Sequence, residues 1–253
     1  MSCRSNNQGR AYEYITLQVL FREISKIRKA VIIENTSLYA AQNAWDLMGD
    51  GMQKLLKVSA EAFVPSIFDL EPLILEDDED TVELLIQQDA RGEDGDVRDI
   101  LIVRSGIEWE IGLSMKHNHF AVKHSRLSPL IDFGNKWYGH KCSQTYWDGV
   151  LPIFNRMQDL RSKGVLWRDV SDKQKGVYIP VLKAFRDEIK RASQKYKDLP
   201  SKLTEYLLGE YDFYKVISID RSSTTLINAF NLYGTLNQSA KKTEPKKKGS
   251  IEP

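Results

Sequence analysis

Two short apolar segments on either side of a Ser-Gly pair constrain the fold of this chain more than any other feature. Residues 96–104 (DVRDILIVR) are rich in β-branched and apolar side chains, and residues 107–118 (IEWEIGLSMKHN) have the pattern of a second extended segment. Ser105-Gly106 between them is a turn sequence, so the pattern predicts a β-hairpin. We expect this hairpin near the centre of a small mixed sheet flanked by helices, which makes the fold class α/β or α+β.

Apolar residues at helical spacing occur on both sides of the hairpin. This periodicity is typical of amphipathic helices, whose apolar side faces a core. It predicts helices over residues 8–29, 38–48, 52–63, 145–163 and 177–195.

Four further segments are assigned from the residue types that they contain. The acidic stretch 76–89 is predicted to be helical after Thr81, and Ser201 is predicted to cap the start of a short helix. Residues 216–220 and 224–230 are β-branched and apolar, and they predict a late strand pair.

The composition excludes several classes of protein. With 42% hydrophobic and 28% charged residues, the chain is an ordinary globular protein. Its two cysteines, Cys3 and Cys142, exclude a disulfide framework and a cysteine-based zinc site. No run approaches the ~18 apolar residues of a membrane helix, and the N-terminal residues lack the apolar region of a secretion signal. We therefore predict a cytoplasmic protein with no membrane partner.

Charge is divided between segments although the formal net charge is only +1. Residues 71–99 carry twelve Asp/Glu against two Arg, whereas residues 111–168 carry nine Lys/Arg against three Asp together with all four histidines. Residues 241–248 add five lysines and one glutamate. The chain can therefore present a basic face to a polyanion. The alternative is that the acidic and basic segments are two solvated surfaces without a binding role.

The hairpin carries the residues with the clearest chemical pattern. If Ser105-Gly106 is a two-residue turn, the numbers of paired residues sum to 211, and Asp99 faces Gly112 with open space beside its carboxylate. Ser114 then lies diagonally from Asp99, at about 7–8 Å, and Lys116 follows on the same face. A carboxylate, a hydroxyl and a lysine on one open face suit Mg²⁺-assisted attack on a phosphodiester.

The hairpin sequence resembles that of the PD-(D/E)xK nucleases, in which an Asp begins one strand and an acid-x-Lys motif lies on the next. More specifically, the sequence resembles the HaeIII-type restriction endonucleases, which cleave double-stranded DNA at GGCC. The segments that carry it are SNNQGRAYEY, RDILI, WEIGLSMKHNH, AVKHSRLS and TTLINAFNLYGTLN.

The resemblance implies a role for each hairpin residue. Asp99 matches the first metal-binding acid, and Lys116 matches the catalytic lysine. Ser114 stands at the catalytic position where the superfamily has its second acid, so this sequence departs from the superfamily pattern there. The backbone carbonyl of Met115 is implied as a further ligand, and the implied cofactor is Mg²⁺.

The missing second carboxylate has two candidates. Glu13, near the start of the first predicted helix, is preferred because many nucleases of this superfamily bring an acid from that helix. A first-turn or surface carboxylate would occupy the same position without any role in metal binding. Glu110 is on the correct strand face, but about 13 Å of strand separates it from Ser114.

A basic segment follows the catalytic strand directly, and it is predicted to bind DNA. Its residues are His117, Asn118, His119, Lys123, His124, Ser125 and Arg126. Asn118 and Arg126 could instead read base edges, since Arg suits guanine. The letters His-Asn-His also occur in another nuclease family, but there the motif spans a longer ββα unit.

The resemblance predicts a type II restriction endonuclease that leaves 5′-phosphate ends. A homodimer is one candidate for its active unit. A cognate DNA methyltransferase would be its functional, not physical, partner. The alternatives are a structure-specific repair nuclease or junction resolvase, and a DNA-binding protein that has lost catalysis through Ser114. Relatives tend to run further, which implies a C-terminal element beyond this sequence.

The predicted organisation is one nuclease domain over residues 1–236 and a basic, flexible tail over 237–253. Within the domain we expect a helical N-terminal part over 8–90, the catalytic hairpin over 96–118, and a C-terminal part of helices and strands over 145–236.

Overall fold

The computed structural model describes residues 2–76, 79–88, 96–122 and 127–237. Its described helices are α1 (Ser2–Ile24), α2 (Thr36–Asp46), α3 (Asp50–Leu70), α4 (Phe133–Tyr138), α5 (Gln144–Ser162), α6 (Ile179–Lys195) and α7 (Leu199–Leu208). Its strands are β1 (Ala30–Ile32), β2 (Val82–Ile86), β3 (Ile100–Arg104), β4 (Trp109–His117), β5 (Phe213–Ile219) and β6 (Thr224–Phe230).

The strands form one mixed sheet in the order β1-β2-β3-β4-β5-β6. The pairs β1/β2 and β4/β5 are parallel, and the other three pairs are antiparallel. The hairpin β3/β4 lies at the centre of the sheet, as predicted. The chain therefore has the predicted mixed α/β class, consistent with a restriction-endonuclease-like core.

The described residues divide into two compact units. The first consists of residues up to 122 and from 208 onward, and it contains the whole sheet with α1, α2 and α3. The second is formed by residues 127–207. The single nuclease domain over 1–236 stays a prediction, and the predicted tail lies outside the described residues except for Asn237.

In the first unit, one face of the sheet packs against α1, α2 and α3. Alternate residues of each strand point to this core because side chains alternate along a strand. The buried strand residues of the core are Val82, Leu84, Ile86, Ile100, Ile102, Ile111, Leu113, Met115, Tyr214 and Val216. Residues of the intervening positions, such as Ser114 and Lys116, therefore belong to the other face.

The second unit has an aromatic core around Phe133. Its ring centroid lies 5.1 Å from that of Trp137 and 5.0 Å from those of Tyr146 and Phe185. Aromatic pairs at such distances stabilise a core beyond the area they bury. No helix among the described residues of either unit is long and apolar enough to cross a membrane.

Two predictions of secondary structure are wrong. The segment after Thr81 is strand β2 and not a helix, because Val82, Leu84 and Ile86 are buried alternately, with the period of a strand. The acidic residues before it had suggested a solvated helix. The short helix α7 begins at Leu199, so Ser201 lies inside it and is not its N-cap.

The predicted hairpin turn is also wrong. Arg104 pairs with Trp109, so the loop has four residues instead of two, and paired numbers sum to 213 instead of 211. A 3-10 turn over Ser105–Ile107 is followed by Glu108 with a left-handed φ of 53°. A shift of two residues keeps every side chain on its predicted face, because the period of a strand is two.

Candidate active site

Asp99 is the residue on which the hairpin side chains converge. Its Oδ2 accepts hydrogen bonds from Lys116 Nζ at 2.9 Å, from the backbone N–H of Met115 at 2.6 Å and from Ser114 Oγ at 3.3 Å. A carboxylate held by an ammonium, an amide and a hydroxyl is fixed in position. The structure therefore brings into contact Asp99, Ser114 and Lys116, which the sequence predicted to share one face of the hairpin.

The register of the hairpin explains this convergence. Ile100 pairs with Leu113, and the backbone N–H of Asp99 donates to the carbonyl of Leu113 at 2.7 Å. Asp99 therefore lies directly opposite Ser114, and not diagonally from it as the two-residue turn had implied.

Glu13 adds charge near this group from helix α1. Burial disfavours the charged amine of Lys116, but the charge and hydrogen bond of Asp99 together with the charge of Glu13 outweigh that effect. They hold the pKa of Lys116 above its usual value. Lys116 is thus a cation, and Glu13 lies within its electrostatic reach.

The expected open space at Gly112 is filled by Arg98. A Cβ added to Gly112 would lie 2.1 Å from Arg98 Cδ, so only glycine accommodates the guanidinium side chain here. Arg98 is 5% exposed, and it binds Asp96 Oδ2 and Glu110 Oε1, each at 2.7 Å. The carboxylate of Glu110 is therefore engaged by Arg98 and not directed at Asp99.

The donor chemistry around Asp99 suits a hard cation such as Mg²⁺. Among the described residues, no three His, Cys, Asp or Glu side chains are grouped as metal ligands. A neutral oxygen is nevertheless available: Gln87 Oε1 is buried and has no hydrogen-bond partner among the described residues. The backbone N–H of Gln87 donates to the carbonyl of Asp99 at 2.9 Å. Oxygen ligands of this kind are those that Mg²⁺ prefers.

Gln87 and Glu13 also line one cavity. Its volume is about 290 Å³, and its walls include Arg10 of α1 and Thr36 and Ser37 of α2. Side chains of an acid, an amide, two hydroxyl residues and the cation Arg10 thus border a common space, whereas Gln87 Oε1 itself is buried. Asp99 is not one of the described residues that line this cavity. Asp99, Glu13 and Gln87 are each oxygen donors of the type that a divalent cation binds.

The residues that follow Lys116 are fixed by Asp220, in the turn between β5 and β6. His117 Nε2 lies 2.7 Å from Asp220 Oδ1, and Asn118 Nδ2 donates to Asp220 Oδ2 at 2.9 Å. Asn118 has a left-handed φ of 53°, and its Oδ1 accepts from the backbone N–H of Asp220 at 3.0 Å. Asp220 was not identified from the sequence, because this contact spans about a hundred residues.

The other residues of the predicted DNA-binding segment are placed differently. His119 is half-buried, beyond the end of β4. Lys123, His124, Ser125 and Arg126 lie outside the described residues. Their role in DNA binding stays a prediction.

Lys215 on β5 is a further residue that sequence reasoning missed. It is 2% exposed, pairs in register with Ser114, and donates a hydrogen bond to the carbonyl of Phe120. Burial and then the charge of Lys116 lower its pKa. The available signal was a charged lysine inside the predominantly apolar run FYKVISI.

Comparisons with known proteins identify the family of the chain. A family model described as HaeIII restriction endonuclease matches residues 9–252. The chain is 46% identical over 243 residues to the type II restriction enzyme HaeIII of Haemophilus aegyptius, an alignment that covers 96% of this chain and 76% of that protein. No solved structure matches the chain.

Proposed function

This chain belongs to the HaeIII restriction endonuclease family, and from that premise we propose that it cleaves double-stranded DNA at GGCC with Mg²⁺ as cofactor. Membership of the family makes it a type II restriction endonuclease, whose partner is DNA. The proposal extends this to the recognition site, the metal and the 5′-phosphate ends of the product.

The single observation that carries the proposal is the 2.9 Å contact between Lys116 Nζ on β4 and Oδ2 of Asp99, which directly precedes β3. It juxtaposes an anion that can bind a metal and a cation that can face a phosphate. Preorganised charges of both signs are what in-line hydrolysis of a phosphodiester requires, because negative charge develops on the phosphate oxygens.

The residues of the site would divide the tasks of this mechanism among them. Asp99 would hold the metal, aided by Glu13, by the Met115 carbonyl and by Gln87 Oε1. Lys116 would orient the attacking water and neutralise developing charge, and Ser114 Oγ keeps the Asp99 carboxylate oriented. When bound, Mg²⁺ would supply Lewis-acid polarisation of the scissile phosphate.

The arrangement does not require Glu110 as a ligand, since Arg98 engages its carboxylate. The basic segment from His117 to Arg126 would contact the DNA backbone, with Asn118 or Arg126 as candidates for reading bases. A homodimer matched to a palindromic site, a cytoplasmic location and a cognate methyltransferase that protects host DNA complete the proposal.

The test is a plasmid digest with mapping of the fragment ends. Incubation with Mg²⁺ should give discrete fragments with ends at GGCC, 5′-phosphates and 3′-hydroxyls, and EDTA should abolish the reaction. A smear would favour a nuclease without a fixed site. Site-specific binding without cleavage in Mg²⁺ or Mn²⁺ would favour a DNA-binding protein that has lost catalysis.

A further inference from the structure

A row of polar side chains crosses the centre of the sheet at the active site. Asp99 lies opposite Ser114, and Ser114 pairs in register with Lys215, which in turn pairs with Asn228 of β6. Paired residues of neighbouring strands project their side chains from the same face. Lys215 therefore lies on the face that carries Ser114 and Lys116.

Lys215 is an unusual residue for the interior of a sheet. A lysine buried to this extent is normally paired with a carboxylate, because removing a charge from water is costly. Its described hydrogen-bond partner is a neutral carbonyl, that of Phe120. An uncharged donor could make the same hydrogen bond to the Phe120 carbonyl. The presence of a lysine, and not of a neutral side chain, at position 215 therefore needs an explanation.

The explanation lies in the neighbouring residue. In the superfamily pattern, position 114 would be an acid, and such an acid would stand between Asp99 and Lys215. With serine there, the register partner of Lys215 carries no charge that could neutralise the lysine.

We propose that Lys215 is a positioning residue of the reaction, a second fixed cation whose field lowers the affinity of the Asp99 site for metal and stabilises charge that develops on the phosphate. The inference rests on the proposed function, since it assigns the electrostatics of that same site. In this arrangement, Ser114 and Lys215 form one unit. Serine in place of the expected acid removes one metal ligand, and the adjacent lysine supplies positive charge that stabilises the phosphate.

The test compares Lys215→Met with wild type in the full-length protein. Mn²⁺ affinity is measured without DNA by electron paramagnetic resonance, and cleavage of cognate DNA is measured in single turnovers at saturating Mg²⁺. Loss of a nearby positive charge should make Mn²⁺ binding about three- to tenfold tighter. The cleavage rate should nevertheless fall by about tenfold or more, because the phosphate loses a preorganised cation.

A matched control separates this effect from net charge. Lys57 is exposed on α3, so Lys57→Met makes the same change in net charge and should leave both quantities within about twofold of wild type. Lys215→Arg keeps the positive charge and should retain the wild-type metal affinity, which also provides a test if Lys215→Met does not fold.

The pairing of Ser114 with Lys215 is tested by a double-mutant cycle. Ser114→Asp should tighten Mn²⁺ binding more in the Lys215→Met background than in wild type, because the new carboxylate no longer pairs with the lysine. Additive effects would contradict the proposed unit.

Several results would overturn the inference. One is a Lys215→Met protein whose metal affinity and cleavage rate equal those of wild type; another is weaker metal binding in that variant. Tighter Mn²⁺ binding in Lys215→Arg, equal to that expected for Lys215→Met, would also contradict the inference, because arginine keeps the positive charge. If wild-type protein itself neither binds Mn²⁺ nor cleaves DNA, the proposed function fails, which is a distinguishable outcome.

Discussion

Lys116 Nζ on strand β4 lies 2.9 Å from Oδ2 of Asp99, the residue directly before strand β3, although seventeen positions separate the two residues in the sequence. The four-residue turn sets this relationship, because it determines which residues of β3 and β4 are opposite each other. Asp99 thereby also receives the backbone N–H of Met115. One carboxylate oxygen is thus held by side-chain and main-chain donors of the same strand.

The first prediction concerns this pair. Asp99→Ala should remove the principal metal-binding anion, and Lys116→Ala should remove the charge that positions the water. We expect each variant to lose at least about a hundredfold in cleavage rate, with DNA binding within about tenfold of wild type. Single-turnover cleavage and a gel-shift titration in Ca²⁺ measure the two quantities. Retention of more than about a hundredth of the wild-type rate in either variant would contradict the assignment.

The second prediction distinguishes Glu13 from Glu110. Glu13→Gln should lower cleavage at limiting Mg²⁺, and raising the Mg²⁺ concentration should restore part of it, because the defect is in metal affinity. Glu110→Gln is the matched control, since it makes the same chemical change in a carboxylate that binds Arg98. The control should leave the Mg²⁺ dependence unchanged and cost about 1 kcal/mol in stability, because the buried Arg98 keeps its ion pair with Asp96 and glutamine still offers it an oxygen acceptor. The opposite result would make Glu110 the ligand.

The sequence was sufficient to predict the hairpin and the common face of Asp99, Ser114 and Lys116. The direct contact between Asp99 and Lys116 was not predicted, because the two-residue turn placed Asp99 opposite Gly112. Alternation of β-branched and polar residues determines a strand face locally, and a two-residue error in register does not change that face. The turn length was missed because Ser105-Gly106 looks complete as a turn, whereas Glu108 adopts a left-handed conformation without being glycine.

The remaining features depend on contacts between distant segments. Gln87 contacts Arg98, Lys215 contacts Phe120, and Asp220 contacts His117. None of these pairs leaves a periodic signal in the sequence. Strand β2 was predicted as a helix because its apolar alternation is short and follows a run of acids, and its pairing with β3 settles the conformation.

The third prediction concerns the packing of Arg98 on Gly112. Gly112→Ala would place a Cβ 2.1 Å from Arg98 Cδ and 2.8 Å from Arg98 Cβ, so the side chain and its backbone must shift. We expect a loss of about 1–3 kcal/mol in the free energy of unfolding, as for other overpacked sites. Chemical denaturation measures it. Gly51→Ala, at a helical position with nothing within 4 Å, should be neutral or stabilising. Equal stability of the two variants would show that Arg98 moves away without cost.

The last prediction concerns Asp220 and the end of strand β4. Asp220 accepts from Asn118 and contacts His117, the two residues that directly follow Lys116. Asp220→Ala should loosen this segment, because His117 and Asn118 Nδ2 lose their carboxylate partner, although the backbone N–H of residue 220 can still donate to Asn118 Oδ1. Because Lys116 would then be less well positioned, we expect the cleavage rate to fall by about tenfold while the Mn²⁺ affinity at Asp99 stays within about twofold. Asp220→Asn, which keeps an acceptor for Asn118, should recover part of the rate. Ser222→Ala changes an exposed residue of the same turn and should have the wild-type rate. A parallel loss of metal affinity in Asp220→Ala would show instead that the turn supports Asp99.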